Sequence, residues 1–320
     1  MTTQQDAAVG RRTTPAETPS APSPSWAVPA AVGVVLLLWA SSFIAIRAVG
    51  DTFSPGPLAF GRLVVGTLAL GAIGLYYRSP LPRGRGLALV ALYGVLWFAL
   101  YTVVLNAAEH HLDAGTAAML VNVAPILVAV AAGFLLGEGF PRPLIIGVGV
   151  AFAGVALIAV GGVGSHSDGL GVALGLITAV LYAAGVLSQK VALRTVDPVS
   201  ATWVGCAIGM AVLVPFLPAT VDEARDASFG AIAAVVYLGV FPTAIAFTLW
   251  AYALSRASAG RTASASLAVP AIAVVMSWVF LGEVPTVLAM VGGVLCITGV
   301  LVSRRRVRPQ PVAATSPRGQ

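Results

Sequence analysis

Residues 134–142 read FLLGEGFPR and residues 279–287 read VFLGEVPTV. The phrase Leu-Gly-Glu thus occurs twice, ending at Glu138 and Glu283, in a chain with only 12 acidic residues among 320. Each copy follows a proline by the same distance, Pro125 to Glu138 and Pro270 to Glu283. Shifting residues 114–157 by 145 positions (283 minus 138) lays them on 259–302. Ala114-Gly115 then meets Ala259-Gly260, Gly147 meets Gly292, and Gly154-Val155 meets Gly299-Val300. A shift of 143 (182 minus 39) aligns WASSFIAIR at 39–47 with YAAGVLSQK at 182–190, and Pro55 with Pro198. The chain therefore reads as one unit written twice.

Composition says what kind of unit. The chain is 58% hydrophobic and 9% charged, against about 25% charged in soluble domains. Only Arg62 carries charge between Asp51 and Arg78, and nothing does between Arg142 and Asp168. Runs of about 20 apolar residues cross a bilayer as helices, whereas a barrel needs alternating segments of about 10. Leu, Ala, Val and Gly continue here without alternation, so an all-α integral membrane protein is expected. Ten spans can be drawn: 28–49, 57–77, 86–107, 114–137, 143–161, 169–191, 198–217, 228–254, 260–281 and 286–303. Residues 1–27, rich in Pro, Ser and Thr, and the basic stretch 304–320 read as disordered cytoplasmic tails. Arg11-Arg12 raises a twin-arginine signal, but a proline-rich stretch separates the pair from an apolar run too long for a signal core.

With the N-terminus placed inside, the inner segments carry every basic residue except Arg47, Arg62 and Arg225, which is 15 of 18. That asymmetry sets orientation and calls for an even number of spans with both termini cytoplasmic. Five spans per copy, 28–161 and 169–303, then put the second copy upside down relative to the first. Inverted repeats of this kind mark secondary transporters, with the solute site near the midplane. The net charge of +6 comes from loops and tail, so no nucleic-acid partner is implied. The partners expected are a small-molecule solute and the lipid bilayer, with monomer or homodimer left open.

On these features the chain resembles the drug/metabolite transporter superfamily, in its EamA-like branch. The likeness covers about 28–303 and rests on the paired five-helix halves, on LLLWASSFIAIR and PLAFGRLVVGTLAL in the first two spans, and on the proline with terminal Gly-Glu in the fourth and ninth. It implies a ten-helix fold in the cell (plasma or inner) membrane and a cavity lined mainly by spans 1, 3, 4, 6, 8 and 9. Members export amino acids and other metabolites, or move drugs, nucleotide sugars or lipid-linked sugars. Where the family usually carries Gly-Ser-Asn in the first span, this chain has Ala40-Ser41-Ser42, so no role for that Asn carries over.

The residues nominate the solute path. Tyr93, Trp97 and Tyr101 recur at i, i+4, i+8, which is one helical face, lining a cavity or packing a neighbour. Trp39 with Ser42, Tyr182 with Gln189, and Thr243 with Phe247 and Trp250 make similar faces. Pro125 and Pro270 inside their spans remove a backbone hydrogen bond and crowd the carbonyls of Val121 and Ser266, which makes them candidate kink hinges. Asn122 and Ser266 lie beside the breaks as candidate partners for freed backbone groups. Arg62, a few residues inside its span, reads as a snorkelling or structural cation, with Asp51 as a partner. Arg47 and Lys190 read as interfacial anchors. Glu138, beside Arg142, and Glu283 fall about a bilayer apart and read as end-of-helix or gate groups.

Other chemistry is poorly served. No carboxylate is expected near the middle of any span, which disfavours the glutamate-centred proton and drug site of small multidrug relatives and favours a neutral or zwitterionic solute. His110, His111 and His166 fall in outer loops without metal-site spacing. Cys206 and Cys296 sit in apolar runs and read as packing residues. Nucleotide-binding, zinc-protease and nucleophile-elbow motifs are absent from the sequence. Neither an enzyme, a cofactor nor a metal is expected. A membrane scaffold would leave the duplication unexplained, and a sugar-nucleotide carrier would call for a more basic cavity.

Overall fold

The structure, a computed structural model, describes residues 26–135, 142–161, 169–282, 284 and 286–303. Apart from turns and short linkers those residues are helical, with no strand among them. In chain order, α1 is Ala27–Val49 and α2 Pro55–Tyr76. The third, α3, runs through Gly84–Tyr93, a π-helical stretch Gly94–Leu100, and Tyr101–His111. The fourth, α4, is Ala114–Val121 followed by Ala124–Leu135, then come α5 (Arg142–Gly161) and α6 (Gly169–Ala192). Pro198–Val212 and Val214–Asp226 meet at a 53° bend and form α7. Phe229–Leu238, the π stretch Gly239–Ile245 and Ala246–Arg256 make α8. Ala259–Ala263, a 3₁₀ turn Ser264–Ala268 and Val269–Leu281 make α9, and Val287–Ser303 is α10.

Six of these helices (α1, α2, α3, α4, α6 and α8) are long and apolar enough to cross a membrane, and the bent α7 makes a seventh if counted as one span. Large apolar side chains such as Leu37, Leu68, Leu176, Val275 and Trp278 cover the outside. A water-facing surface would not tolerate so much of this, and lipid requires it.

Polar side chains punctuate the helix starts. Asp113 accepts from Thr116 N (2.7 Å), Asp197 from Ser200 N (3.0 Å) and Ser228 from Ala231 N (3.2 Å), each satisfying one orphan donor of a first turn. Glu223, on the tail of α7, accepts from the backbone N–H of Ser54 at 3.0 Å and so tethers the start of α2. Lys190, expected as an interfacial anchor, instead donates to the carbonyls of Leu254 and Ala257 (2.7 and 2.6 Å). It thereby caps the end of α8, where the helix dipole favours a cation.

The packing has a matched plan. α1 lies on α8 and α9, and α6 lies on α3 and α4; α2 packs on α8, and α7 on α3. α2 also meets α7, α4 meets α9, and α5 pairs with α10. Each contact has its counterpart five elements on. The register matches too: α3 (84–111) and α8 (229–256) are equally long, and their π stretches start at Gly94 and Gly239, 145 residues apart. Both glycines mark close approaches. A Cβ on Gly94 would stand 2.4 Å from the carbonyl oxygen of Gly205, and one on Gly239 would stand 2.5 Å from Val65 Cβ. Gly205 and Gly209 face α3, and Gly171 and Gly175 face the α3–α4 region, so these glycines pack inside this chain.

Three expectations are corrected. Pro125 and Pro270 do not kink a continuous helix: each is the second residue of a new helical piece, Ala124–Leu135 and Val269–Leu281. The first turn of a helix is where a missing N–H costs nothing. The segment 218–226, predicted as loop, is helical, and Glu109–His111 close α3 as its last turn. Glu138, Glu283 and His166 lie outside the described residues.

Candidate functional site

A small cavity opens where α1, α2, α3 and α4 meet α6, α8 and α9. Its floor is aromatic. Trp39 lies 4.8 Å from Trp250, 5.5 Å from Phe247 and 6.2 Å from both Trp97 and Tyr182, ring centre to ring centre. Trp97 is 5.0 Å from Tyr182 and from Phe247, and Tyr101 is 6.1 Å from Tyr182. Most of these pairs are tilted or edge-on, the arrangement ring quadrupoles favour. Trp97 enters because α6 leaves room: a Cβ on Gly185 would be 2.8 Å from Trp97 Cβ.

The π stretches shape this wall. An i→i+5 turn frees carbonyls and widens the helix. Thr243 takes up one freed carbonyl, donating to Leu238 O at 2.8 Å, and Thr102 reaches Trp97 O at 3.5 Å. In α3 the widened turn spans Trp97 and leads into Tyr101, so both point to the cavity.

Polar groups enter at the helix breaks. Asn122, between the two pieces of α4, donates from Nδ2 to Ala118 O at 2.8 Å and keeps Oδ1 buried without a partner. Ser266, in the 3₁₀ turn of α9, donates to Ala263 O at 2.7 Å and receives a long bond from the Tyr182 hydroxyl at 3.4 Å. Ser42 donates to Trp39 O at 2.7 Å. The indole N–H groups of Trp39 and Trp250 are buried and unpartnered. Each orphaned buried group costs about 1–3 kcal/mol, so their clustering in one place asks for a reason.

Arg62 departs most from expectation. It neither snorkels nor pairs with Asp51: its side chain is 4% exposed, lines the cavity, and donates from Nε to Thr243 Oγ1 at 2.7 Å. Its Nη1 is buried without a hydrogen-bond partner. Glu109, expected in a loop, is 1% exposed and lies within electrostatic reach of Arg62.

Ten of the nominated residues thus come together on one cavity: Trp39, Ser42, Arg62, Trp97, Tyr101, Asn122, Pro125, Tyr182, Phe247 and Ser266. Tyr93, Thr243 and Trp250 stand one layer behind, with Tyr93 accepting from Gln189 Nε2 at 3.0 Å. Pro270 is buried in α9 but does not line the cavity. Phe43 and Leu105 were missed, although their i+4 spacing from Trp39 and Tyr101 was available in the sequence.

A lipid-facing helical bundle with a cavity that mixes aromatic faces and a few polar atoms fits a multi-pass membrane transporter. The EamA-like transporter family model matches residues 26–160 and again 169–305, and the chain belongs to that family. A probable terminal-alkyne amino-acid exporter of Streptantibioticus cattleyicolor is 35% identical over 294 residues, 90% of this chain and 96% of that protein. An uncharacterized transporter of Bacillus subtilis, YdfC, is 33% identical over 84% of this chain and 88% of its own length. A probable amino-acid metabolite efflux pump of Salmonella typhimurium is 25% identical over 84% and 92% of the two chains. A solved crystal structure shares the fold at a TM-score of 0.64 and 19% identity, covering 87% of this chain and 96% of that one.

Proposed function

We propose that this protein exports a small neutral or zwitterionic metabolite, such as an amino acid, by alternating access. The observation that carries this reading is the cavity itself, walled jointly by α1–α4 and by α6, α8 and α9. A site shared between two halves can be opened to either side by rocking one against the other. The matched packing and the equal registers of α3 and α8 support a repeat of residues 28–161 and 169–303. Five helices in each would invert the second, with ten spans in the inner membrane and both tails cytoplasmic. Two relatives named for amino-acid export support the solute class. Transport here runs without chemistry on the solute.

Counterflow in proteoliposomes tests the proposal. Purified protein in vesicles preloaded with neutral amino acids should accumulate at least one labelled amino acid, saturably. Trp97→Ala should cut that uptake by about tenfold or more, because Trp97 joins both sides of the aromatic floor. Absence of uptake across the panel, with the protein shown folded and inserted, refutes the reading.

A further inference from the structure

Three polar atoms of the cavity residues are buried and unmatched: Arg62 Nη1, Trp39 Nε1 and Asn122 Oδ1. Their directions are set by neighbours. Thr243 passes its own hydrogen to Leu238 O, so its oxygen meets Arg62 Nε as an acceptor and holds the guanidinium plane in place. Asn122 commits Nδ2 to Ala118 O, which leaves its oxygen as the free end. The residues that line the cavity thus carry two unpartnered donors, one of them cationic, and one unpartnered acceptor. Ser42 and Ser266, having given their hydrogens to Trp39 O and Ala263 O, add accepting lone pairs.

An apolar solute would leave all of these unpaired. A simple cation would meet the guanidinium charge, and a simple anion would leave the acceptors unused. A carboxylate with an ammonium on the adjacent carbon matches both sets. We propose that Arg62 is the anchor for the solute carboxylate, joined by the Trp39 indole N–H, and that Asn122 with the Ser42 and Ser266 hydroxyl oxygens takes the ammonium. The cargo class is therefore an α-amino acid held by its head group, with its side chain against the aromatic floor. This assignment rests on the transport reading above. The competing role for Arg62 is structural, as a counter-charge to Glu109. In that role its loss would weaken the fold without changing which solutes are preferred.

The experiment uses proteoliposomes of the full chain loaded with isotope-labelled neutral L-amino acids, each alongside its carboxamide, with release followed by mass spectrometry and corrected for protein-free vesicles. The amide keeps the ammonium and side chain but loses the anionic acceptor. Wild type is expected to release at least one amino acid about tenfold faster than its amide, since a charge-assisted fork is lost with the amide. Arg62→Gln should bring the two within about twofold, and Arg62→Lys should keep part of the preference, having the charge without the fork. Equal release of acids and amides by wild type, or an unchanged ratio in Arg62→Gln, overturns the anchor and leaves transport standing. Release of no solute at all overturns the transport reading and the anchor together. Should Arg62→Gln fail to fold, Thr243→Val removes the bond that aims the guanidinium. It is then expected to lower the ratio about threefold or more, and an unchanged ratio in that variant overturns the assignment.

Discussion

Replacing Gly239 with alanine strikes the contact on which the cavity geometry depends. The new Cβ would stand 2.5 Å from Val65 Cβ, 2.7 Å from Val65 Cγ1 and 2.8 Å from the Arg62 carbonyl oxygen. Carbon atoms rest at about 3.5–4.0 Å, so α8 must move from α2 by about 1 Å. A rotamer change of Val65 would not suffice, because two of the three obstacles are a Cβ and a backbone oxygen. Overpacking of this kind costs about 1–3 kcal/mol. The same displacement stretches the Arg62–Thr243 bond from 2.7 Å to about 3.7 Å, beyond hydrogen-bond range, so the loss of stability should come with a loss of transport. Gly94→Ala, with its Cβ 2.4 Å from the Gly205 carbonyl oxygen, should behave alike on the other side. On α1, a Cβ added at Gly33 would meet nothing within 4 Å, and Gly33→Ala supplies the control, expected within about 0.5 kcal/mol of wild type. Thermal unfolding in detergent and counterflow in vesicles measure the two effects. If Gly239→Ala is as stable and active as Gly33→Ala, the close α2–α8 approach is not what organises the site.

Three further outcomes follow from other contacts. Asn122→Leu keeps the volume but leaves both the Ala118 carbonyl and the cavity without the amide; we expect about 1–2 kcal/mol less stability and a larger proportional loss in counterflow. Tyr182→Phe removes only a long 3.4 Å bond to Ser266 while keeping the ring contacts with Trp97 and Trp39, so unfolding temperature should hardly change and transport should fall by less than about threefold. Lys190→Met removes two charge-assisted bonds to the end of α8, and chemical denaturation should register a loss of about 1–3 kcal/mol with the solute preference unchanged.

Much of the site was legible in the residues alone. The i, i+4, i+8 stripe of Tyr93, Trp97 and Tyr101 was visible, as was the pairing of Asn122 and Ser266 with the two prolines; of these, Trp97, Tyr101, Asn122, Pro125 and Ser266 line one cavity, while Tyr93 and Pro270 stand outside its lining. Arg62 was misplaced because depth in a span can be counted from sequence, while the direction a side chain takes around the helix cannot be. The nearest acidic residue in the sequence was Asp51, yet the partner that holds Arg62 is Thr243, 181 positions away on α8. The π stretch of α3 was invisible for a related reason. Nothing in GVLWFAL distinguishes an i→i+5 turn from an ordinary one until Gly94 is seen pressed against another helix, whereas Pro242 in GVFPTAI, lacking an N–H, was a local sign of a disturbed turn that the reading passed over.

By itself, then, the sequence determined that this is a helical membrane protein written in two copies, because long uncharged runs leave the backbone no other way to satisfy itself in lipid. It also marked where the helices would break, because proline and the residues beside it act locally. Only the tertiary structure decided which face of each helix turns inward. Lipid and protein interior are equally apolar, so hydrophobicity does not point a transmembrane helix the way it points a soluble one. Small residues that permit close contact make that choice. Here the approach of Gly239 to α2 and of Gly94 to α7 brings Thr243 to Arg62 and turns a lone arginine into part of a cavity.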